Sequence, residues 1–321
     1  MKKFAKCTAF LLLCTLCLPG KVQAKELIPV GKVVGLELRD DTVTIAAFDE
    51  QLGAAAKAAG VAVGDQIIRI DGTDIHSSAD VKAALERADG RVELLVSRDG
   101  KQKNYSLKTQ STASGQKLGL YLRQGITGIG TVTYYDPETG NFGTLGHGVN
   151  NSDGKLLHLT QGYAYEAKVL TVRKGRAGDP GQLMGSVDGD SVIGILSANT
   201  ERGVFGTSET GWQGDAVTVA ASDEVKTGSA VIRSTVNGNE VREYSVEILK
   251  IYPKSKQNGR NLLLRVTDPA LLAATGGIVQ GMSGSPILQN GKLIGAVTHV
   301  LVNDPATGYG IFIENMLDAA A

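Results

Sequence analysis

A mainly β protein, with a small α/β module ahead of a β-barrel, is what the sequence predicts. Forty-one glycines against six Phe, nine Tyr and one Trp describe a turn-rich chain of small residues and short strands, not a helical bundle. Helical periodicity is confined to brief segments, and the second half alternates strand candidates with glycine turns, the pattern of closed β structure. At 321 residues the chain has room for two compact units and a leader. Its 33 basic and 33 acidic residues cancel, which supplies no general attraction for nucleic acid or an anionic membrane surface.

Lys2, Lys3 and Lys6 precede an apolar stretch from Cys7 to Leu18, and Val22-Gln23-Ala24 offers a small-residue cleavage site. Residues 1–24 therefore read as a signal peptide or a membrane anchor of an exported chain. Cys7, Cys14 and Cys17 all lie there, so the exported part has no thiol for a disulfide, a metal or nucleophilic catalysis.

Residues 27–108 have the pattern of a compact mixed module. Gly31 to Leu38 is a glycine-flanked loop entering a strand, Thr42 to Ala47 a second strand, and Ala54 to Gly60 a short helical turn. Ser77 and Asp80 form a capping pair ahead of a helix whose apolar face is Val81, Ala84, Leu85 and Ala88. Arg91 to Ser97 and Lys103 to Leu107 make a hairpin around Asp99-Gly100. This order, and Gly64-Asp65-Gln66-Ile67-Ile68-Arg69-Ile70-Asp71-Gly72 in particular, resembles a PDZ domain of the kind attached to bacterial proteases. The resemblance implies a groove for a peptide or a protein C-terminus, with Val34, Gly35 and Leu36 as the loop that meets the carboxylate.

Residues 109–116 are small and polar, a linker. Residues 117–321 follow as a β domain, with strands expected at 126–135, 141–145, 187–196, 216–220, 228–234, 240–251, 261–266 and 292–302, and a closing helix at 314–320.

Chemistry concentrates at Gly281-Met282-Ser283-Gly284-Ser285-Pro286. A serine that attacks a carbonyl needs an exposed hydroxyl and nearby backbone N–H groups, and flanking glycines let the backbone turn those donors inward. The segment resembles the nucleophile turn of chymotrypsin-like peptidases, which gives Ser283 the attack and Gly281 and Ser283 the oxyanion N–H groups. An ordinary glycine-rich bend is the competing reading, and Ser285, past the turn, is the weaker nucleophile. Of four histidines, His147 in Gly146-His147-Gly148 ends a strand between glycines and is the best base; His76, His158 and His299 have ordinary surface, core or supporting explanations. Asp179, Asp188, Asp190 and Asp304 sit in turns. Asp268, 15 residues before Ser283, is either a helix cap for Leu271 to Ala274 or the acid behind the imidazole.

With the leader, the PDZ-like module, Thr144-Leu145-Gly146-His147-Gly148, the Ser283 segment, Gly295-Ala296-Val297-Thr298-His299-Val300 and Gly308-Tyr309-Gly310-Ile311, the exported chain resembles the SpoIVB peptidase family of endospore-forming bacteria. The resemblance implies a trypsin-like β-barrel peptidase domain and an exported serine endopeptidase that cleaves itself. It also implies a membrane-bound regulator of an intramembrane protease as substrate, in a signal that activates a late sigma factor. By position, His147, Asp268 and Ser283 match the family's His, Asp and Ser. No cofactor or metal is expected, since His-Glu-x-x-His and cysteine clusters are absent. The alternative from another class is an inactive peptidase-like protein that signals through its PDZ-like groove.

Overall fold

The computed structural model describes residues 25–151, 154–255 and 259–321. The leader, with its cleavage site and three cysteines, lies outside the described residues. The strands and helices run β1 (Glu26–Pro29), β2 (Val33–Phe48), α1 (Ala54–Ala58), β3 (Gln66–Ile70), β4 (Thr73–Asp74), α2 (Ser78–Glu86), β5 (Arg91–Arg98), β6 (Lys101–Lys108), β7 (Gln110–Thr112) and β8 (Gly115–Lys117). They continue as β9 (Leu120–Tyr135), β10 (Asn141–Thr144), β11 (Gln161–Arg173), β12 (Gln182–Thr200), β13 (Gly203–Ser208), β14 (Val217–Thr218), β15 (Gly228–Asn237) and β16 (Glu240–Ile251). The last are β17 (Leu262–Val266), α3 (Pro269–Thr275), β18 (Pro286–Gln289), β19 (Lys292–Leu301), β20 (Asp304–Phe312) and α4 (Ile313–Ala320). Strands cover 57% of the described residues and helices 10%, as the glycine-rich composition predicts.

Two closed sheets form the body. The barrel β15-β16-β17-β20-β19-β18 surrounds Ile232, Val246, Ile248, Leu262, Leu264 and Ile287, all within 2% of complete burial. A second circuit runs β9-β10-β13-β12-β11-β2, and β2 pairs back onto β9 to close it. Its interior holds Val34, Leu36, Leu38, Val132, Phe142 and Val204. Each of these larger side chains contributes roughly 1.5–3 kcal/mol on burial, so alternating apolar positions are sufficient to pin the register of both barrels.

The PDZ-like module does not precede this body; it is inserted into it. Both β2 and β9 are 16 residues long, and a register shift between Leu38 and Val43 divides each pairing in two. Their first portions, Val33–Leu38 against 126–131, belong to the barrel. Val43–Phe48 against 120–124 continue into the module, where β3, β5 and β6 extend the sheet. Residues 27–38, expected in the module, therefore serve the barrel. Leu118, Leu120 and Leu122, expected to open the second domain, pack on the module's core with Ile45, Ile67, Val81 and Leu94. Residues 109–116, expected as a linker, carry the β7–β8 hairpin. Within the module the local chemistry is as expected: Ser77 accepts from Asp80 N–H at 3.1 Å, and Asp99 and Gly100 take the positive φ of a tight hairpin.

The module is fastened by one buried ion pair. The Asp65 carboxylate is completely buried and receives Arg98 Nη2 at 2.7 Å and Ala62 N–H at 2.9 Å. Burial pushes its pKa up, but the Arg98 and Ala62 hydrogen bonds and the Arg98 charge outweigh burial and hold it below the ordinary 3.8. Its stabilisation is therefore complete above the unfolded-state value and lost as pH falls through the lower folded value. Arg98→Met is expected to lower stability at neutral pH, because it strands a buried carboxylate. Urea midpoints would show that deficit shrinking as Asp65 protonates in acid; a deficit independent of pH would assign it to lost packing instead.

Candidate active site and peptide groove

The site lies where the two barrels meet. His147 follows β10 of one, and Ser283 precedes β18 of the other. Leu145 and Gly146 both take left-handed φ values, 66° and 68°, a reversal that turns the chain out of β10 and presents the imidazole. Asn199 then holds the following loop, its Oδ1 accepting from Val149 N–H at 2.9 Å and its Nδ2 donating to the Val149 and Leu157 carbonyls, each at 2.8 Å. The Ser283 turn uses Gly281 at φ 98° and Gly284 at φ 96°.

Thr131 in β9 joins the two segments. Its N–H donates to Ser283 O at 3.0 Å and its hydroxyl to Gly281 O at 2.8 Å. Its own carbonyl receives the Thr144 hydroxyl at 2.6 Å, one element before His147. Gly284 presses so closely on this strand that a Cβ there would lie 2.0 Å from Thr131 O.

His147 and Ser283 line one cavity of about 250 Å³, whose walls are Leu36, Leu38, Ile126, Ile129, Leu145 and Val149. His147 Nδ1 lies 2.9 Å from the Gly148 carbonyl. A carbonyl only accepts, so Nδ1 carries the proton and Nε2 keeps its lone pair, the tautomer a general base requires. Burial lowers the His147 pKa from 6.5, opposed by the Gly148 hydrogen bond. Ser283 Oγ donates to Thr298 O at 2.8 Å. No acceptor among the described residues takes the N–H of Gly281 or Ser283, so both donors remain available. Ser285 is completely buried, with its hydroxyl 3.1 Å from that of Ser234, a packing role.

Asp268 is not brought to this histidine. Its Oδ1 accepts from Ala270 and Leu271 N–H at 2.9 and 3.0 Å, capping α3, and its Oδ2 receives Ser245 N–H. Placement between β17 and α3 makes it a cap, because a helix start needs an acceptor for its free N–H groups. Asp179, Asp188 and Asp304 likewise serve local turns. His76 and His158 are exposed. His299, passed over in sequence as a core or supporting residue, stands instead beside His147, with ring centroids 5.2 Å apart.

A profile of SpoIVB peptidase S55 matches residues 114–317, and a PDZ domain profile matches residues 34–109. The chain belongs to the SpoIVB peptidase S55 family. No curated protein matches it in sequence. Among solved structures it is similar to the active form of Rv3671c protease from M. tuberculosis, with 16% identity over 62% of this chain and 73% of that one and a TM-score of 0.37. The inactive form of that protease gives 15% identity over 61% and 85%, with a TM-score of 0.35. The PDZ domain of the SdrC-like protein (Lmo2051) from Listeria monocytogenes is 21% identical over 26% of this chain and 87% of its own, with a TM-score of 0.22.

The segment expected to meet a peptide carboxylate is a strand in the structure. Val34, Gly35 and Leu36 are paired on both edges, with Gly130, Ile129 and Gly128 of β9 and with Glu166, Tyr165 and Ala164 of β11. Their backbone has no free edge to offer a peptide, because those residues close the barrel. A cavity of about 430 Å³ opens instead between α2 and the start of β9, lined by Val81, Leu85, Leu118, Leu120 and Leu122. Among the described residues, Leu120 to Gln124 pair only with β2, so the edge facing α2 is open. The signal for it was present in Leu118-Gly119-Leu120-Tyr121-Leu122, a glycine-bearing turn entering an alternating strand. The equivalent pattern at Val34-Gly35-Leu36 came first in the chain and drew the assignment.

The Thr131 clasp is open to measurement. Thr131→Val keeps the shape and removes the hydroxyl that satisfies Gly281 O, and is expected to cost about 1–2 kcal/mol in urea unfolding. A change below roughly 0.5 kcal/mol, the level of an ordinary surface substitution, would remove the clasp from the account.

Proposed function

We propose that this SpoIVB-family peptidase is an exported serine endopeptidase in which Ser283 is the nucleophile and His147 its general base. One observation carries the reading: His147 and Ser283 face the same cavity from different barrels, and the Gly148 carbonyl holds the imidazole in the base tautomer. In the reaction Ser283 Oγ turns from Thr298 O toward Nε2 of His147, gives up its proton and attacks the peptide carbonyl. The Gly281 and Ser283 N–H groups receive the developing oxyanion, and the imidazolium returns the proton to the leaving amine. Gly148 O takes the orienting role expected of Asp268.

The apolar walls beside Ser283 fit a substrate with an aliphatic or aromatic side chain next to the scissile bond. The open edge of β9 fits an extended peptide added as a strand against α2. We assign the chain the family's signalling reaction: self-cleavage, then cleavage of a membrane-bound regulatory protein that activates an intramembrane protease and a late sigma factor. The basic and apolar leader supports export to the space between forespore and mother-cell membranes. Among the described residues no helix is long and apolar enough to cross a membrane.

Ser283→Ala is expected to lower cleavage of protein substrates by at least about 1,000-fold with an unchanged melting temperature. Wild-type cleavage by that variant would end the assignment. Because the base acts when deprotonated and burial lowers its pKa, the acid limb of kcat/KM is expected below pH 6.5. A limb above that value would contradict a buried neutral base.

Gly128 lies on the cavity wall, and a Cβ there would meet nothing within 4 Å. Gly128→Leu should therefore fill the cavity without strain. It is expected to depress cleavage of peptides with Phe or Leu beside the scissile bond by roughly tenfold or more relative to Ala, the scale of a few buried methylenes. Equal rates for both peptides would place the side-chain subsite elsewhere.

A further inference from the structure

We propose that His299 is a positioning partner of His147, a ring set beside the base whose Nδ1–H is held by the Gly148 carbonyl. The inference rests on His147 acting as the base. It begins from a deficit: in accepting the Ser283 proton, a buried imidazole becomes a cation, and among the described residues no carboxylate bonds it. Charging a buried group without a partner is costly, so some neighbour must favour the imidazolium.

Three observations converge on His299. Its ring centroid lies 5.2 Å from that of His147, with the planes inclined at 41°. Its Nδ1 is buried and has no hydrogen-bond partner among the described residues. An orphaned buried nitrogen usually costs about 1–3 kcal/mol, which makes its retention beside a base informative. It also adjoins Thr298, whose carbonyl accepts the Ser283 hydroxyl, so adjacent residues of β19 touch the nucleophile and flank the base.

Burial pushes the His299 pKa down to about 4, with the charges of His147 and Arg260 acting in the same direction. His299 is thus neutral above about pH 4, and a neutral ring beside His147 adds no charge to oppose the imidazolium. The other charged groups on this side are Lys155, Glu201 and Arg260, which line the outer cavity with both histidines. Glu201 is exposed, and neither it nor Lys155 bonds either ring. Arg260 opposes a second positive charge, which leaves His299, alongside the Gly148 carbonyl that holds Nδ1–H, as the further group placed to favour the imidazolium.

The test is the rate at which a fluorophosphonate labels the full-length protein, measured across pH, with melting temperatures as the folding control. His299→Phe is expected to label on the order of 100-fold more slowly, the scale of lost acid–base assistance. Its acid limb should also move to lower pH, because losing a group that favours the imidazolium lowers the His147 pKa. His299→Gln, which keeps a hydrogen-bonding side chain, should recover roughly tenfold of the loss. Asp268→Asn and Glu201→Gln should stay within about twofold of wild type, the spread of substitutions remote from the chemistry. Wild-type labelling by His299→Phe with an unmoved limb, or an equal loss in Asp268→Asn, overturns the proposal. If His299→Phe melts early, the limb of His299→Gln decides, and an unshifted one overturns it. Wild-type labelling by His147→Ala overturns the base assignment and this inference together.

Discussion

Thr131 is the residue on which the site depends. One buried threonine uses its N–H, hydroxyl and carbonyl to tie the Ser283 turn of one barrel to the His147 segment of the other. Thr133, two residues on and on the same face of β9, repeats the bond by donating its hydroxyl to Gly284 O at 2.7 Å. Neither barrel alone holds both the proposed nucleophile and the proposed base. Two rigid sheets brought to a common seam can place two side chains with little conformational freedom left to lose, which is where preorganised catalysis draws its advantage. The glycines at 281 and 284 are part of the same arrangement, since both take positive φ and position 284 leaves no space for a Cβ against Thr131 O.

The strand that carries Thr131 also lines the cavity beside α2. β9 begins at Leu120, on the open edge facing α2, and reaches Thr131 eleven positions later without leaving the sheet. Inserting a module between β2 and β9 costs the barrel little, because both strands continue outward through a register shift instead of ending. The result is a groove and a nucleophile turn built on one piece of hydrogen-bonded backbone.

Much of this was legible in the residues. Glycine-bracketed strands foretold barrels, the Ser77–Asp80 cap and Asp99-Gly100 turn formed as read, and Ser283 and His147, singled out among the serines and histidines, line one cavity. What escaped was long-range. Whether Val34-Gly35-Leu36 or Leu118-Gly119-Leu120 forms a groove depends on which strand each pairs with, and local pattern carries no record of partners. Asp268 had two readings of equal local merit, and only the placement of α3 decides for the cap. β11, β13 and β20 went unread because their glycines, such as Gly162, Gly206 and Gly308, resemble turns; each sits where a Cβ would strike a neighbouring strand or side chain. The closeness of His299 to His147 was invisible because it depends on how β19 lies against the loop after β10.

The central claim, that Ser283 is the hydroxyl activated by His147 at the seam of the two barrels, is tested most directly by locating a covalent adduct. Peptide mapping by mass spectrometry after fluorophosphonate treatment of the wild-type protein should find a single modified residue, Ser283, and the adduct should vanish in His147→Ala. Modification at Ser285 or another serine, or an adduct on Ser283 that forms equally well without His147, would contradict the account.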